Sequence, residues 1–168
     1  LFPYVAIYTT MNLFIDIETN GLPNTRGFDD YYCHTKLDAY ESCRIIEIAY
    51  IIADSHCNTI KEYTSLVKNH DVSIRNSHIH GITKDMTINN GKYISDIFTT
   101  LWNDIQHHNV VNIIAHNLSF DLNILLSEMY RQINKDVICT RFYHKQLENI
   151  VQLRLCLMKD VNYTCTMK

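Results

Sequence analysis

The chain has 168 residues, a length that fits one domain able to bury about 70% of its unfolded surface. Hydrophobic residues make up 46% of the chain, and with only 4 Gly and 2 Pro the composition excludes a disordered or low-complexity protein. The formal charge of −3 excludes an overall basic surface, so charge alone does not indicate a nucleic-acid binder.

Cysteine spacing and apolar runs indicate an intracellular protein with no membrane association. The 6 cysteines fall at irregular intervals without a C-x-x-C pair, so we expect reduced, mostly buried thiols instead of a zinc site. No apolar run approaches the ~20 residues that span a bilayer. Residues 1–10 lack a basic region and precede Met11, so we interpret them as an upstream extension and predict that the domain comprises residues 11–168.

Three strands are predicted before the first long helix. Met11 to Ile17 is a short apolar run interrupted by Asp16, which is typical of a buried strand that carries one charged residue for a purpose. A polar stretch from Gly21 to Ser42 follows and is predicted to be a long loop. Ile45 to Ala53 is almost continuously apolar and β-branched, and Thr59 to Val67 is expected to return beside it as an antiparallel edge strand.

Strands and helices alternate in the rest of the chain. Apolar residues at helical spacing predict a helix over Tyr93 to Ile105, and Val110 to Ala115 is the next strand. A second helix is predicted from Asp121 to Ile133, a further helix over His144 to Leu157 and a last strand over Tyr163 to Met167. A three-strand meander extended by strand–helix units predicts an α/β fold with a mixed β-sheet flanked by helices.

Three carboxylates are placed where they can converge. Asp16 and Glu18 lie two apart on the first strand, so both point to one face. A divalent cation would offset their repulsion, although an exposed strand end explains the pair as well. Asp121 opens the second helix, where the helix dipole favours an acid and Ser119 or Asn117 can cap. If the two strands are neighbours, about 4.8 Å apart, the three acids meet at one sheet edge.

Five segments of the chain carry recognisable motifs: FIDIETNGLP (Phe14 to Pro23), RIIEIAYIIAD (Arg44 to Asp54), IHGIT (Ile79 to Thr83), AHNLSFDLNIL (Ala115 to Leu125) and CTMK (Cys165 to Lys168). In this order and at these intervals they resemble the motifs of the DEDD 3′–5′ exonuclease superfamily. The similarity is greatest to the histidine branch, which includes ribonuclease T and the proofreading subunit of DNA polymerase III.

The resemblance implies a ribonuclease H-like fold that holds two divalent cations, Mg²⁺ or Mn²⁺, for hydrolysis of a phosphodiester. By position, Asp16 would bridge both ions, Glu18 would hold the ion that activates water, and Asp121 would hold the other. These three residues are therefore the predicted catalytic and metal-binding residues.

The resemblance also implies a slot for the 3′-terminal nucleotide of a single-stranded or frayed DNA or RNA end. Leu22 would wedge against the base, a contact that tolerates any sequence. For Ile82, an ordinary core position explains the residue as well as contact with the nucleotide does, and Phe120 could belong to either the core or the slot. His116 is interpreted as a structural histidine. The predicted substrate-binding residues are Thr19, Gly21, Leu22, His80, Ile82, Asn117 and Phe120.

One family feature is absent from the sequence. The histidine branch takes its fourth acid and its general base from a His-x4-Asp motif on a helix after the CTM strand, and the chain ends at Lys168. The two matches to this short pattern, which begin at His80 and His116, lie inside other motifs. We therefore expect the C-terminal helix to be missing, one sheet face to be open, and this chain to have little or no nuclease activity.

Two other functions remain open from the sequence. The domain could be a degenerate nuclease that binds nucleic acid or a partner protein without cleavage, or a ribonuclease H-like endonuclease. The sequence does not assign any residue to the 2′-hydroxyl, so it does not choose between DNA and RNA.

Overall fold

The structure is a computed structural model that describes residues 10–136, 144–159 and 161–167. Residues 1–9 of the predicted upstream extension lie outside the described residues. In chain order the described elements are β1 (Met11–Thr19), β2 (Thr25–Gly27), β3 (Asp30–Tyr31), a 3₁₀ turn (Leu37–Tyr40), β4 (Ile45–Ala53), β5 (Thr59–Leu66), α1 (Ser77–His80), α2 (Lys84–Asn90), α3 (Ile94–His108), β6 (Val110–Ala115), α4 (Leu118–Asp136), α5 (His144–Lys159) and β7 (Asn162–Cys165).

The main sheet has five strands in the order β5-β4-β1-β6-β7. β4 is antiparallel to both β1 and β5, whereas β6 is parallel to β1 and β7 is parallel to β6. The predicted meander, its extension by strand–helix units and the edge position of β5 are therefore confirmed. The central position of β1 matters for function, because the strand that carries the first two acids has neighbours on both sides.

The two faces of the sheet differ in burial. Leu13, Ile15 and Ile17 of β1 are at most 5% exposed and belong to one core cluster with residues of α3, α4 and α5. Phe14 and Asp16, which alternate with them, are exposed. The helices thus cover one face, and the opposite face of β1 is open to solvent.

Several predicted element boundaries are wrong. The predicted loop from Gly21 to Ser42 contains the β2–β3 hairpin and the 3₁₀ turn, whose pairing comes from short polar contacts with no apolar periodicity. α1 and α2 were not predicted for the same reason. α4 begins at Leu118, three residues before Asp121, and β7 spans Asn162–Cys165 instead of Tyr163 to Met167.

Two further observations concern the cysteines and the helices. The described cysteines form no disulfide, and three of the five, Cys33, Cys57 and Cys165, are exposed, so the prediction of mostly buried thiols is wrong for the described residues. Among the described residues, no helix combines the length and apolarity that crossing a bilayer requires.

Candidate active site

The first two acids lie on one face of the central strand, next to a third acid that we did not predict. Asp16 pairs with Ala49 of β4, and Glu18 pairs with Glu47. Burial and the charges of Glu18 and Asp16 raise the pKa of Glu47, while the nearby His80 opposes that rise. Glu47 is the only charged residue in the apolar run IIEIAYIIA, and that isolation was the available signal.

Asp121 reaches the same corner from the first turn of α4. Its backbone N–H donates to the Asn117 carbonyl at 3.0 Å. Asn117 provides the helix cap, as one of the two predicted candidates, because its Oδ1 accepts from the N–H of Phe120 at 3.3 Å. The turn follows β6, the parallel neighbour of β1, so the chain delivers Asp121 beside Asp16.

The electrostatics of Asp121 report this closeness directly. The residue is only 3% exposed and borders a small gap lined by aliphatic side chains such as Leu13, Ile15 and Leu125. Burial and the charge of Asp16 raise the pKa of Asp121 to about 7, and a hydrogen bond from the backbone of Ile17 partly opposes that rise. The structure therefore brings Asp16 and Asp121 together.

The four acids do not yet form a complete ligand set. In the part of the chain that the structure describes, no group of three or more His, Cys, Asp or Glu side chains is arranged to hold a metal ion. Glu18 is thus near the corner by strand position, but its carboxylate does not complete a group of three with Asp16 and Asp121.

Asp16 opens onto a groove of about 600 Å³ across the open face of the sheet. Phe14, Ile51 and Ile114 give the groove an apolar floor, and His116 lies on its wall. The His116 ring is exposed, with its Nδ1 3.4 Å from the Thr166 hydroxyl.

Among the predicted slot residues of the first motif, only Leu22 presents a side chain to solvent. The Thr19 hydroxyl donates to the Gly21 carbonyl at 2.8 Å, which shapes the loop. A Cβ at Gly21 would lie 2.6 Å from the Ser42 carbonyl oxygen, so close packing requires glycine there. Leu22 is 76% exposed, so its side chain contributes little to the hydrophobic core.

The IHGIT segment divides into one residue at the site and one in the core. His80 lies close enough to Glu47 to influence its pKa. Its Nδ1 accepts from the N–H of Ile82 at 3.1 Å, so Nε2 carries the proton and donates to the Arg75 carbonyl at 2.9 Å. Ile82 is 4% exposed, which favours the core alternative over nucleotide contact. Phe120 is half-buried and packs against the core.

The β2–β3 hairpin also reaches the first turn of α4, which sequence reasoning missed. The Ser119 hydroxyl lies 3.4 Å from Asp29 Oδ2. Burial and the charge of Asp29 raise the pKa of the Tyr31 phenol, and the side chain of Asn117 lies close enough to oppose that rise. No periodic pattern marks these residues, so only the folded chain reveals them.

A buried ion pair fixes the strand end relative to the helix. The Arg44 guanidinium donates to both carboxylate oxygens of Glu128 on α4, at 2.8 and 2.7 Å. Asn20, directly after β1, bonds to the backbone of Arg44 through its own N–H at 3.0 Å and through Oδ1 at 2.6 Å. The end of β1 and the helix that carries Asp121 are therefore tied through one arginine.

Comparisons with solved structures agree with this architecture. Escherichia coli exonuclease I in complex with a dT13 oligonucleotide matches with a TM-score of 0.57 and 16% identity over 93% of this chain and 28% of that chain. A product-bound exonuclease I gives 0.59 and 17% over 94% and 30%. Exonuclease I from Methylocaldum szegediense gives 0.56 and 21% over 74% and 24%. At these identities the likeness shows a shared fold.

The chain spans less than a third of the length of those exonuclease I chains. A sequence search of curated proteins gives no significant match. The family model described as exonuclease, of the ribonuclease T type, matches residues 13–165. This chain therefore belongs to the exonuclease family of the ribonuclease T type.

Proposed function

We propose that this protein is a metal-dependent 3′–5′ exonuclease that removes nucleotides from DNA or RNA ends with the help of two divalent cations, Mg²⁺ or Mn²⁺. The observation that carries the proposal is the closeness of Asp16 and Asp121, which raises the pKa of the buried Asp121 carboxyl. Two carboxylates held together without a counter-charge are unfavourable, and a hard cation with oxygen ligands offsets both charges.

We call the cluster of Asp16, Glu18, Glu47 and Asp121 the acidic corner. Its carboxylate oxygens are the ligands that such ions prefer. Asp16 and Asp121 supply carboxylate oxygens from two directions, and Glu18 and Glu47 lie opposite each other on the adjacent strand pair. Glu18 is only partly buried, so its side chain is accessible to a cation and would act as a third carboxylate ligand. The proposed ligands are Asp16, Glu18 and Asp121, with Glu47 as a neighbouring acid that increases the negative potential.

The bound cations would supply an activated water and offset charge on the leaving 3′ oxygen. The protein's own residues bind and orient the strand end. Leu22 is exposed and available to pack against the terminal base, and the groove beside Asp16 gives the strand a path. Both ring nitrogens of His80 are engaged by backbone groups, so we assign His80 to substrate binding and not to proton abstraction.

Single-stranded DNA is the first substrate to test, because an exonuclease I of the same fold was solved with dT13. Because this sequence does not contain the C-terminal His-x4-Asp motif, the expected result is slow stepwise shortening of 5′-labelled dT13 from its 3′ end in Mg²⁺ or Mn²⁺, and none in EDTA. Asp16→Asn and Asp121→Asn should abolish trimming, whereas Glu148→Gln, an exposed acid on α5, should not. Cleavage of a circular single strand, or full activity in both aspartate variants, would refute the proposal; an oligo-rU arm tests RNA.

Binding without cleavage is the second candidate, and the incomplete ligand group favours it. That function predicts that oligonucleotides bind equally well in EDTA and remain intact in Mg²⁺ or Mn²⁺. An intracellular place of action belongs to either proposal and is supported by the described cysteines, which form no disulfide.

A further inference from the structure

Phe28 is the most exposed large hydrophobic side chain among the described residues, at 98%. It occupies the tip of the β2–β3 hairpin, and in this structure its ring contributes almost nothing to the core. An exposed aromatic ring on a structured turn is a common sign of a binding contact, because its apolar surface gains when a flat partner covers it.

The backbone around Phe28 is held in place by strand pairing and hydrogen bonds within the β2–β3 hairpin. Gly27 pairs with Asp30 across the hairpin, so Phe28 and Asp29 form a two-residue turn, with Asp29 in the left-handed region at φ 53°. The Arg26 guanidinium donates to Asp30 Oδ1 at 3.2 and 2.6 Å and to the Tyr31 carbonyl at 3.3 Å. The ring is therefore presented from a fixed position without being packed itself.

Two contacts dock this hairpin on the first turn of α4. The Ser119 hydroxyl lies 3.4 Å from Asp29 Oδ2, and Asn117 lies close enough to the Tyr31 phenol to lower its pKa. The same helical turn carries Asp121. The hairpin tip is consequently held near the first turn of α4 by Asp29 and Tyr31, which both follow Phe28 in the chain.

The charges around the tip do not favour a phosphate contact, because Arg26 is paired with Asp30 and the Asp29 carboxylate next to Phe28 is negative. The Lys36 ammonium lies 4.0 Å from the centroid of the Tyr32 ring. The contact that Phe28 offers is thus flat and apolar, and it suits an unpaired nucleobase more than a phosphate.

We propose that Phe28 stacks on an unpaired base of a single strand whose 3′ end lies at Asp16 and Asp121; this inference rests on the proposed function. Stacking on a ring outside the carboxylate corner adds affinity that depends on strand length and not on the identity of the base. Stacking also gives a reason for an exposed phenylalanine on an ordered turn that docks on the first turn of α4.

The test is binding of fluorescent dT13, measured by anisotropy with Ca²⁺ in place of Mg²⁺, for the wild type, Phe28→Ala, Phe28→Trp and Tyr93→Ala. Tyr93→Ala is a matched control, because it removes a 61% exposed aromatic that lies beside Lys68 at the start of α3. We expect Phe28→Ala to weaken binding roughly 5- to 30-fold. Phe28→Trp should bind at least as tightly as the wild type, and Tyr93→Ala should bind normally.

Substrate length and the docking contacts sharpen the test. A dinucleotide offers fewer unpaired bases to the hairpin, so Phe28→Ala should weaken its binding less than it weakens dT13 binding. Tyr31→Phe keeps the ring but removes the phenol oxygen that lies near Asn117, so it should weaken dT13 binding less than Phe28→Ala. In the double variant the two losses should not add, because both act through the same contact.

The outcomes separate the two proposals. If the wild type binds but never trims, the exonuclease proposal fails, and the Phe28 effect on binding still decides the stacking inference. Equal dT13 affinity in Phe28→Ala and wild type overturns the inference even if trimming is robust. It is also overturned if Phe28→Ala only converts a dimer to a monomer in sedimentation, since the ring would then contact a second copy. If the wild type does not bind at all, both proposals fail.

Discussion

The two sides of β1 show how one strand separates stability from chemistry. Its covered side, Leu13, Ile15 and Ile17, is buried against helices and holds the domain together by apolar area removed from water. Its open side carries Phe14, Asp16 and Glu18, where the structure keeps an unfavourable concentration of negative charge. A side-chain period of two places these opposite tasks on alternate residues of a single nine-residue strand.

The largest expected effect is a loss of stability caused by a substitution on the covered side of β1. Leu13→Ala should lower the free energy of unfolding by about 3–5 kcal/mol, because it leaves a cavity at a fully buried position. Phe14→Ala, one residue away on the open side, should cost less than about 1 kcal/mol. Urea denaturation of both variants checks the contrast, and similar losses would show that the open side of β1 is packed in solution.

The next largest effect on stability is expected at the ion pair between Arg44, directly before β4, and Glu128 on α4. Arg44→Ala leaves the buried Glu128 carboxylate with Arg131, 3.7 Å away, and a hydrogen bond from the Gln132 amide at 3.2 Å, and should cost roughly 3 kcal/mol. Lys61→Ala breaks the more exposed pair with Asp104 and should cost less than about 1 kcal/mol. If urea denaturation gives the same small loss for both, Arg44 does not hold β1 against α4.

A substitution in the acidic corner should have the opposite effect and increase the free energy of unfolding. Because the pKa of Asp121 is raised from 3.8 to about 7, the folded chain binds this proton more tightly than the unfolded chain does. Without cations, stability should therefore fall as the pH rises from about 4 to about 7. Asp121→Asn should remove that loss and stabilise the protein at pH 8 by about 2 kcal/mol, with little effect at pH 4.

Thermal unfolding in EDTA at both pH values measures this difference. Added Mn²⁺ should raise the melting temperature of the wild type at pH 8 but not that of Asp121→Asn, because a cation that binds only the folded state stabilises it. Destabilisation of Asp121→Asn at pH 8 would show that the carboxylate has a favourable partner in the folded protein.

The smallest expected effect concerns the helix cap next to Asp121. Asn117→Ala removes the side-chain acceptor for the N–H of Phe120 and the partner of Tyr31, and should cost about 1 kcal/mol. Thr83→Ala removes the corresponding cap of α2, which accepts from Met86, and should cost a similar amount without changing dT13 affinity. Nucleic-acid binding thus distinguishes the two caps, and an equal loss of affinity in both would refute the special role of the α4 turn.

Much of the fold was predictable because its signals are local. Apolar runs and helical spacing predicted β4, β6 and α3 closely, and the order of elements predicted a mixed sheet. The hairpin and the helices α1 and α2 were missed because short elements rest on capping and single polar contacts, such as the Thr83 cap and the Arg26–Asp30 pair. These contacts leave no periodic trace in the sequence.

The site was only partly predictable for a related reason. Asp16 and Asp121 were predicted as partners on the condition that their strands are neighbours, a condition that the structure meets. Glu47 and Tyr31 were missed, because their place depends on strand register and on where the hairpin docks. Ile82 was left between core and slot, and only its burial favours the core.

By itself, the sequence determined which residues share a face of β1, which helices are amphipathic, and which exonuclease motifs the chain carries. Only the tertiary structure decided that Glu47 faces Glu18, that Asp121 is buried beside Asp16, and that the Phe28 turn rests on the first turn of α4. The physical reason is that side-chain periodicity is a property of neighbouring residues, whereas register, burial and docking depend on contacts between segments that are distant in the chain.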